Sequence, residues 1–111
     1  MSENNATVAS KETQESSIPL PSANTLLHAA RIGVAEDKPI LMDYWCGSCE
    51  KTVIIGVREI EGELEKLLVK SEEEYTSPIA RIFQVEEEFI IITENSIYLT
   101  SAKISKKKIS S

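Results

Sequence analysis

One histidine and two cysteines are the whole supply of imidazole and thiol metal ligands in this chain. Two cysteines are too few to staple a small secreted fold with disulfides. His28 lies beside an apolar stripe with no second histidine, so it reads as a surface or half-buried residue, not a metal ligand. The longest apolar runs, such as residues 89 to 92, are far too short to span a bilayer. The start, Met1-Ser2-Glu3-Asn4-Asn5, has no basic region followed by an apolar stretch, so no signal peptide is expected. There is no Met-Gly start and no cysteine near the C-terminus, which argues against a lipid anchor. No phosphate loop, nucleophile elbow or paired-histidine zinc motif is found. These absences lead to the expectation of a cytoplasmic protein in a reducing compartment, with no membrane contact and no cofactor.

Charge is plentiful but uneven. The chain of 111 residues has a formal net charge of −6. Residues 23 to 102 carry 15 acids against seven bases, whereas the end of the chain carries Lys103, Lys106, Lys107 and Lys108 with no acid. An acidic body repels phosphate, so nucleic acid is a poor partner for it. The four lysines are the exception: they could make weak, salt-sensitive contacts to an anionic partner, or serve as a solubilising end.

The first 17 residues hold almost no bulky apolar side chain and cannot offset the entropy of ordering. Ile18-Pro19-Leu20-Pro21 is held extended by its prolines, with Ile18 and Leu20 expected to dock on the domain edge. Ser22 reads as a helix N-cap, Leu26, Leu27, Ala30 and Val34 recur at helical spacing, and Gly33 stands where the helix would stop. From Lys38 the pattern turns to β. Ile40, Met42 and Tyr44 alternate with Leu41, Asp43 and Trp45, and residues 52 to 57 are rich in β-branched side chains. Gly56 in that run signals a bulge or a close backbone approach. Residues 61 to 75 fit a helix or a strand, and the short spacing of the neighbouring strands favours the strand. Ser77-Pro78 then starts a strand that places Ile79, Phe83 and Val85 on one face. Residues 89 to 93 are nearly continuously apolar, as a strand buried on both faces would be. Asn95 is suited to a left-handed turn before the strand at residues 97 to 102. Glu72 to Glu74 and Glu86 to Glu88 read as solvated turns, since they lack the spacing of a calcium loop.

Both cysteines fall in Trp45-Cys46-Gly47-Ser48-Cys49. A Cys-x-x-Cys pair does redox work when its first cysteine is a stabilised thiolate, usually at a helix N-terminus. Lys38-Pro39-Ile40-Leu41-Met42-Asp43-Tyr44-Trp45-Cys46-Gly47-Ser48-Cys49-Glu50-Lys51 resembles the thioredoxin active-site region, where an apolar strand runs into Trp-Cys-Gly-x-Cys. Ser77-Pro78-Ile79 stands where that family has a later proline. The resemblance implies thiol–disulfide exchange through Cys46 and Cys49. Three departures count against it. Thioredoxins continue from the motif into a long helix, whereas here Thr52-Val53-Ile54-Ile55 prefers strand. Tyr44-Trp45 abuts Cys46 directly, and the family's closing helix is absent. The cysteines are therefore expected in the turn of a hairpin joining two strands. Zinc held by Cys46 and Cys49 is a further alternative, but two thiolates are half a tetrahedral site. Cysteine nucleophilic catalysis with His28 as base has no local signature.

A second resemblance covers roughly residues 20 to 104. Leu67-Leu68-Val69-Lys70-Ser71-Glu72-Glu73-Glu74-Tyr75-Thr76-Ser77-Pro78-Ile79, with Thr93-Glu94-Asn95-Ser96-Ile97-Tyr98, looks like small uncharacterised proteins of large nucleocytoplasmic DNA viruses. That likeness implies synthesis in host cytoplasm and carries no activity.

The expectation is thus a disordered segment 1–17, a single β-rich domain 18–103 and a basic flexible tail 104–111. The domain is mainly β (α+β): a short N-terminal helix on an antiparallel meander of five or six strands, curled toward a barrel. Its core should hold Leu26, Leu27, Ile40, Met42, Tyr44, Ile55, Val57, Leu68, Ile82, Phe83, Ile90, Ile92, Ile97 and Leu99. The expected function is that of a non-catalytic protein-interaction or structural module, since open sheet edges can accept a partner strand. A protein partner is expected, and neither its identity nor the oligomeric state is written in the residues. The alternatives are a thiol–disulfide oxidoreductase using Cys46 and Cys49, and an anion-binding protein acting through Lys103, Lys106, Lys107 and Lys108.

Overall fold

A computed structural model describes residues 18–109, so the expected disordered segment 1–17 and the last two residues of the chain lie outside the described residues. The first element is helix α1 (Ala23–Glu36). The Ser22 hydroxyl caps it, accepting from the Thr25 N–H at 3.2 Å. It runs past Gly33 and stops at Asp37, whose left-handed backbone (φ 57°) turns its N–H back onto the Gly33 carbonyl. Gly33 serves packing instead of termination: a Cβ there would lie 3.0 Å from the Lys38 carbonyl oxygen and 3.8 Å from Ile97.

Eight strands follow: β1 (Ile40–Leu41), β2 (Ile54–Ile60), β3 (Glu63–Ser71), β4 (Glu74–Tyr75), β5 (Ile79–Val85), β6 (Glu88–Thr93), β7 (Ile97–Ser101) and β8 (Ser105–Lys108). They form two four-stranded sheets, in the orders β1-β7-β6-β5 and β4-β3-β2-β8. Between β1 and β2 lies the one-turn helix α2 (Trp45–Cys49). The mainly β class holds. The single meander does not: the strands divide between two sheets, and two of the pairings, β1 with β7 and β2 with β8, are parallel. No closed barrel forms, because β3 and β5 approach within 8 Å, Cα to Cα, without pairing.

Each sheet contributes one face to a common core. Tyr44, Val53, Ile55, Leu68 and Ile91 pack between the sheets, with Phe89, Tyr98, Ile79 and Ile82 around them. On the other face of the first sheet, Ile90, Ile92, Ile97 and Leu99 pack against Ala29 of α1 and Trp45 of α2. The central strand β6 is buried on both faces, as its continuous apolar run predicts.

Several expectations are corrected. Leu26, Leu27 and Val34 are 39%, 48% and 85% exposed, because α1 lays its small side, Thr25 and Ala29, on the sheet. Met42 and Phe83 also lie in solvent, whereas Ile40, Val57 and Ile82 are half-buried. A register shift between Ile79 and Arg81 turns Ile79 to the inter-sheet side, away from Val85. Asn95 is not left-handed. Its turn is closed by Thr93 and Ser96, whose backbone groups meet at 2.9 Å. Ile18 packs on the core, but Leu20 is exposed. The expected basic tail is also partly structured. Residues 105–108 form β8 beside β2, and the Ile109 N–H donates to the Val57 carbonyl at 2.8 Å. Gly56 makes this possible as the close approach expected of it: a Cβ would sit 2.8 Å from Ile109 Cδ1.

Candidate functional site

The cysteine motif forms neither a hairpin turn nor the start of a long helix. It is a five-residue helix carrying the chain from the first sheet to the second. Every non-cysteine position in it has a structural task. Trp45 is buried and its Nε1 donates to the Pro19 carbonyl at 2.7 Å, which fixes the chain entering α1. Gly47 lets the chain double back: its carbonyl accepts from the Thr52 N–H at 2.8 Å, and a Cβ would lie 2.7 Å from Val53 Cγ2. The Ser48 hydroxyl donates to the Trp45 carbonyl at 2.6 Å and accepts from the Ser101 N–H at 2.9 Å, tying α2 to β7. Cys46 is exposed and Cys49 half-buried, both as free thiols. Burial pushes the Cys49 thiol up, against the opposing hydrogen bond from Ser48. A thiol pushed up is a poorer thiolate source, and the chain beyond Cys49 enters strand β2.

The other residues singled out are scattered. His28 is exposed on α1. Among the described residues, no group of three or more His, Cys, Asp or Glu is placed to hold a metal ion. Lys103 faces Glu87 at 3.7 Å with both side chains largely in solvent, and Lys106, Lys107 and Lys108 are exposed along β8. Among the described residues, no helix is long and apolar enough to cross a membrane.

Two clefts flank β3, and neither was legible as a site in the sequence. The first, about 470 Å³, lies between Leu64, Glu65 and Lys66 of β3 and Pro78 to Ile82 at the start of β5. β5 is the outer strand of its sheet and pairs only with β6, so its other edge has no strand partner among the described residues, although β3 comes within 8 Å of it. On the same side, β3 pairs with β4 only at Val69 and Ser71, so residues 63 to 67, paired with β2 along one edge, have no strand along the other among the described residues. Arg81 is held by Glu36 of α1, and this guanidinium keeps the Glu36 carboxyl below its ordinary range. Glu65 is taken by Arg58 at 3.0 Å. Lys66 has no ion-pair partner among the described residues. The signal that could have found this edge is Phe83, a large apolar side chain left 42% exposed on β5.

The second cleft, about 700 Å³, lies on the outer face of the other sheet. Ile54, Leu67, Val69 and Ile109 line it with Tyr75, and Arg58, Lys70 and Lys108 stand around them. Lys70 is engaged twice, with Glu74 at 3.3 Å and 4.7 Å above the Tyr44 ring. Compared with protein-family models, curated proteins and solved structures, the chain matches none.

Proposed function

We propose that this protein is a non-catalytic interaction module that accepts a partner strand along β5. The carrying observation is that, of the four strands that end the two sheets, β5 alone is neither short nor lysine-rich. Edges left open invite pairing, and proteins blunt them by shortness or by charge, lysine above all. β1 and β4 are two residues long, and β8 is Ser-Lys-Lys-Lys. β5 runs seven residues with a single charge, Arg81, already engaged by Glu36.

An added strand would take its main-chain hydrogen bonds from β5 and its selectivity from the walls. Alternate side chains would meet exposed Phe83 on the helix side and Leu64 on the other. Lys66, without an ion-pair partner among the described residues, favours an acidic residue in the ligand.

Selection of short random peptides against the whole protein tests this. Binders should alternate apolar residues, carry an acid and shift the amide resonances of residues 79 to 85. Phe83→Lys places a guarding charge on the edge and should abolish their binding. Binders that map elsewhere, or that survive Phe83→Lys, would overturn the reading. The redox alternative draws no comparable support, since α2 is a single turn and the chain beyond it enters strand β2.

A further inference from the structure

The two sheets do not lie strand over strand. β3 borders β5 at Leu64 to Lys66, and by Lys70 it has reached Tyr44, edge-on to Tyr98 of β7. It therefore crosses the first sheet from the β5 end towards β7. At the start of β5, β4 feeds into it through residues 76 to 78. Beyond its far end, the Ala102 N–H donates to the Glu87 carbonyl at 2.9 Å, just before β8 begins. The order β4-β3-β2-β8 thus runs along the length of β5. The β2–β3 hairpin projects past the β5 edge, with Leu64 71% exposed.

A strand added to β5 would lie beneath this overhang, and register fixes what it meets there. Ile55 and Leu68 face the first sheet. Val57, two residues on from Ile55, faces the same way with its register partners, Lys66 of β3 and Lys108 of β8. Lys66, Val57 and Lys108 form a row across three strands, parallel to the added strand. Val57 is only half-buried and both lysines are exposed, so the first sheet does not cover this row. The row towards the hairpin tip holds Leu64 and Glu59, and the row towards the core ends in Lys106, opposite Ile55. Lys107, opposite Gly56, points to the other face of the sheet. Lys66, Lys106 and Lys108 have no ion-pair partner among the described residues. The acids of the adjoining β5–β6 turn are engaged: Glu86 by Asn24, Glu87 by Lys103 and Glu88 by Ser22 and Thr25.

We propose, building on the β5 reading above, that the partner strand places one acid beneath Lys66, an apolar residue beneath Val57 and a second acid beneath Lys108. Neighbouring strands lie about 4.8 Å apart, so the two lysines are rooted roughly 10 Å apart across β2. Side chains on one face of an extended strand recur about every 6.7 Å, so acids four residues apart stand about 13 Å apart. The long lysine stems span the difference. Glu59 repels acids in the outer row, which confines the negative charge to these two positions.

The test uses the whole protein and end-capped heptapeptides. One peptide carries Glu at its second and sixth positions, Val at its third and fourth and Thr elsewhere. Two others carry Gln, or Lys, in place of both Glu. The Glu peptide should shift the amide resonances of residues 79 to 85 and bind about fivefold more tightly than the Gln peptide, with the Lys peptide weakest. Lys66→Gln and Lys108→Gln should each lower that preference to about twofold, and salt at about 1 M should remove most of it. Lys107→Gln should leave it unchanged. Equal binding of the Glu and Gln peptides at residues 79 to 85, or an equal effect of Lys107→Gln and Lys108→Gln, would overturn the proposal and leave the β5 reading standing. No shift of those resonances with any of the peptides would overturn both.

Discussion

The two clefts share β3 and differ in the state of its backbone. Toward β5, residues 63 to 67 have an open side, and the facing edge of β5 is open too. Around Val69, strands lie on both sides and the main chain has nothing left to give. One strand can therefore present two recognition chemistries a few residues apart. An open edge reads the peptide backbone and is tolerant of side chains. A paired sheet face reads only shape and charge. The difference comes from where β4 stops: two residues long, it covers the end of β3 and leaves the rest exposed.

The most damaging way to break the comparison is to remove what both clefts stand on. Leu68 is fully buried on the inter-sheet side of β3, against Ile55 and Ile91. Leu68→Ala should cost about 2–5 kcal/mol, read from denaturant unfolding, and weaken peptide binding. A loss well below that range would mean that the sheets repack freely around β3.

Gly56→Ala separates the clefts. The new methyl meets Ile109 and, at 3.0 Å, Val69 Cγ2. Ile109 can swing away more easily than the strand can move, so the cost should be about 1 kcal/mol, at the low end for overpacking. The second cleft should open as Ile109 leaves, read from the Ile109 methyl resonances, while peptide binding at β5 should not change. Loss of peptide binding would show that the clefts are coupled.

Alkaline pH sharpens the view of the layer between them. Tyr44 lies between the sheets, its ring edge-on to Tyr98 at 5.3 Å, and burial with the charges of Glu74 and Asp43 pushes its hydroxyl up to about 12. Burial raises Tyr98 as well. A raised folded-state value favours the neutral phenol, so this stability is fully present below the ordinary tyrosine value. It is lost as pH rises from about 10 towards about 12. Unfolding midpoints measured over that interval should fall, and Tyr44→Phe should flatten the slope. A variant with an unchanged slope would place the titration elsewhere.

What could be read from the residues was local. The Ser22 cap, the strand after Cys49, the doubly buried β6 and the close approach at Gly56 each follow from side chains within a few positions. What could not be read was set by distant partners or by size. α1 turns Thr25 and Ala29 inward because small side chains let it lie close to the sheet, whereas hydrophobic spacing favours Leu26 and Leu27. The lysine run of β8 becomes a strand only because β2, about 50 residues earlier, supplies its partner. Both clefts depend on which sheet each strand joins, and no strand carries that assignment in its own composition.

The smallest effect is expected where the sequence drew most attention. Cys46 is exposed, and α2 is held by other groups: Trp45 bonded to Pro19, Gly47 at the reversal and Ser48 bonded to β7. Cys46→Ser should therefore change stability by no more than about 0.5 kcal/mol and leave peptide binding intact. Cys49→Ser should cost more, since it puts a hydroxyl beside the cluster of Trp45, Ile90 and Leu99. The order of these two costs is informative. In a thiol–disulfide enzyme the exposed cysteine attacks, so Cys46→Ser would abolish reduction of insulin disulfides while sparing the fold. In an interaction module there is no such activity to lose, and the only measurable cysteine effect is the packing of Cys49. Insulin reduction by the parent protein at enzyme-like rates, lost in Cys46→Ser, would return the function to α2 and remove the reason to look at either side of β3.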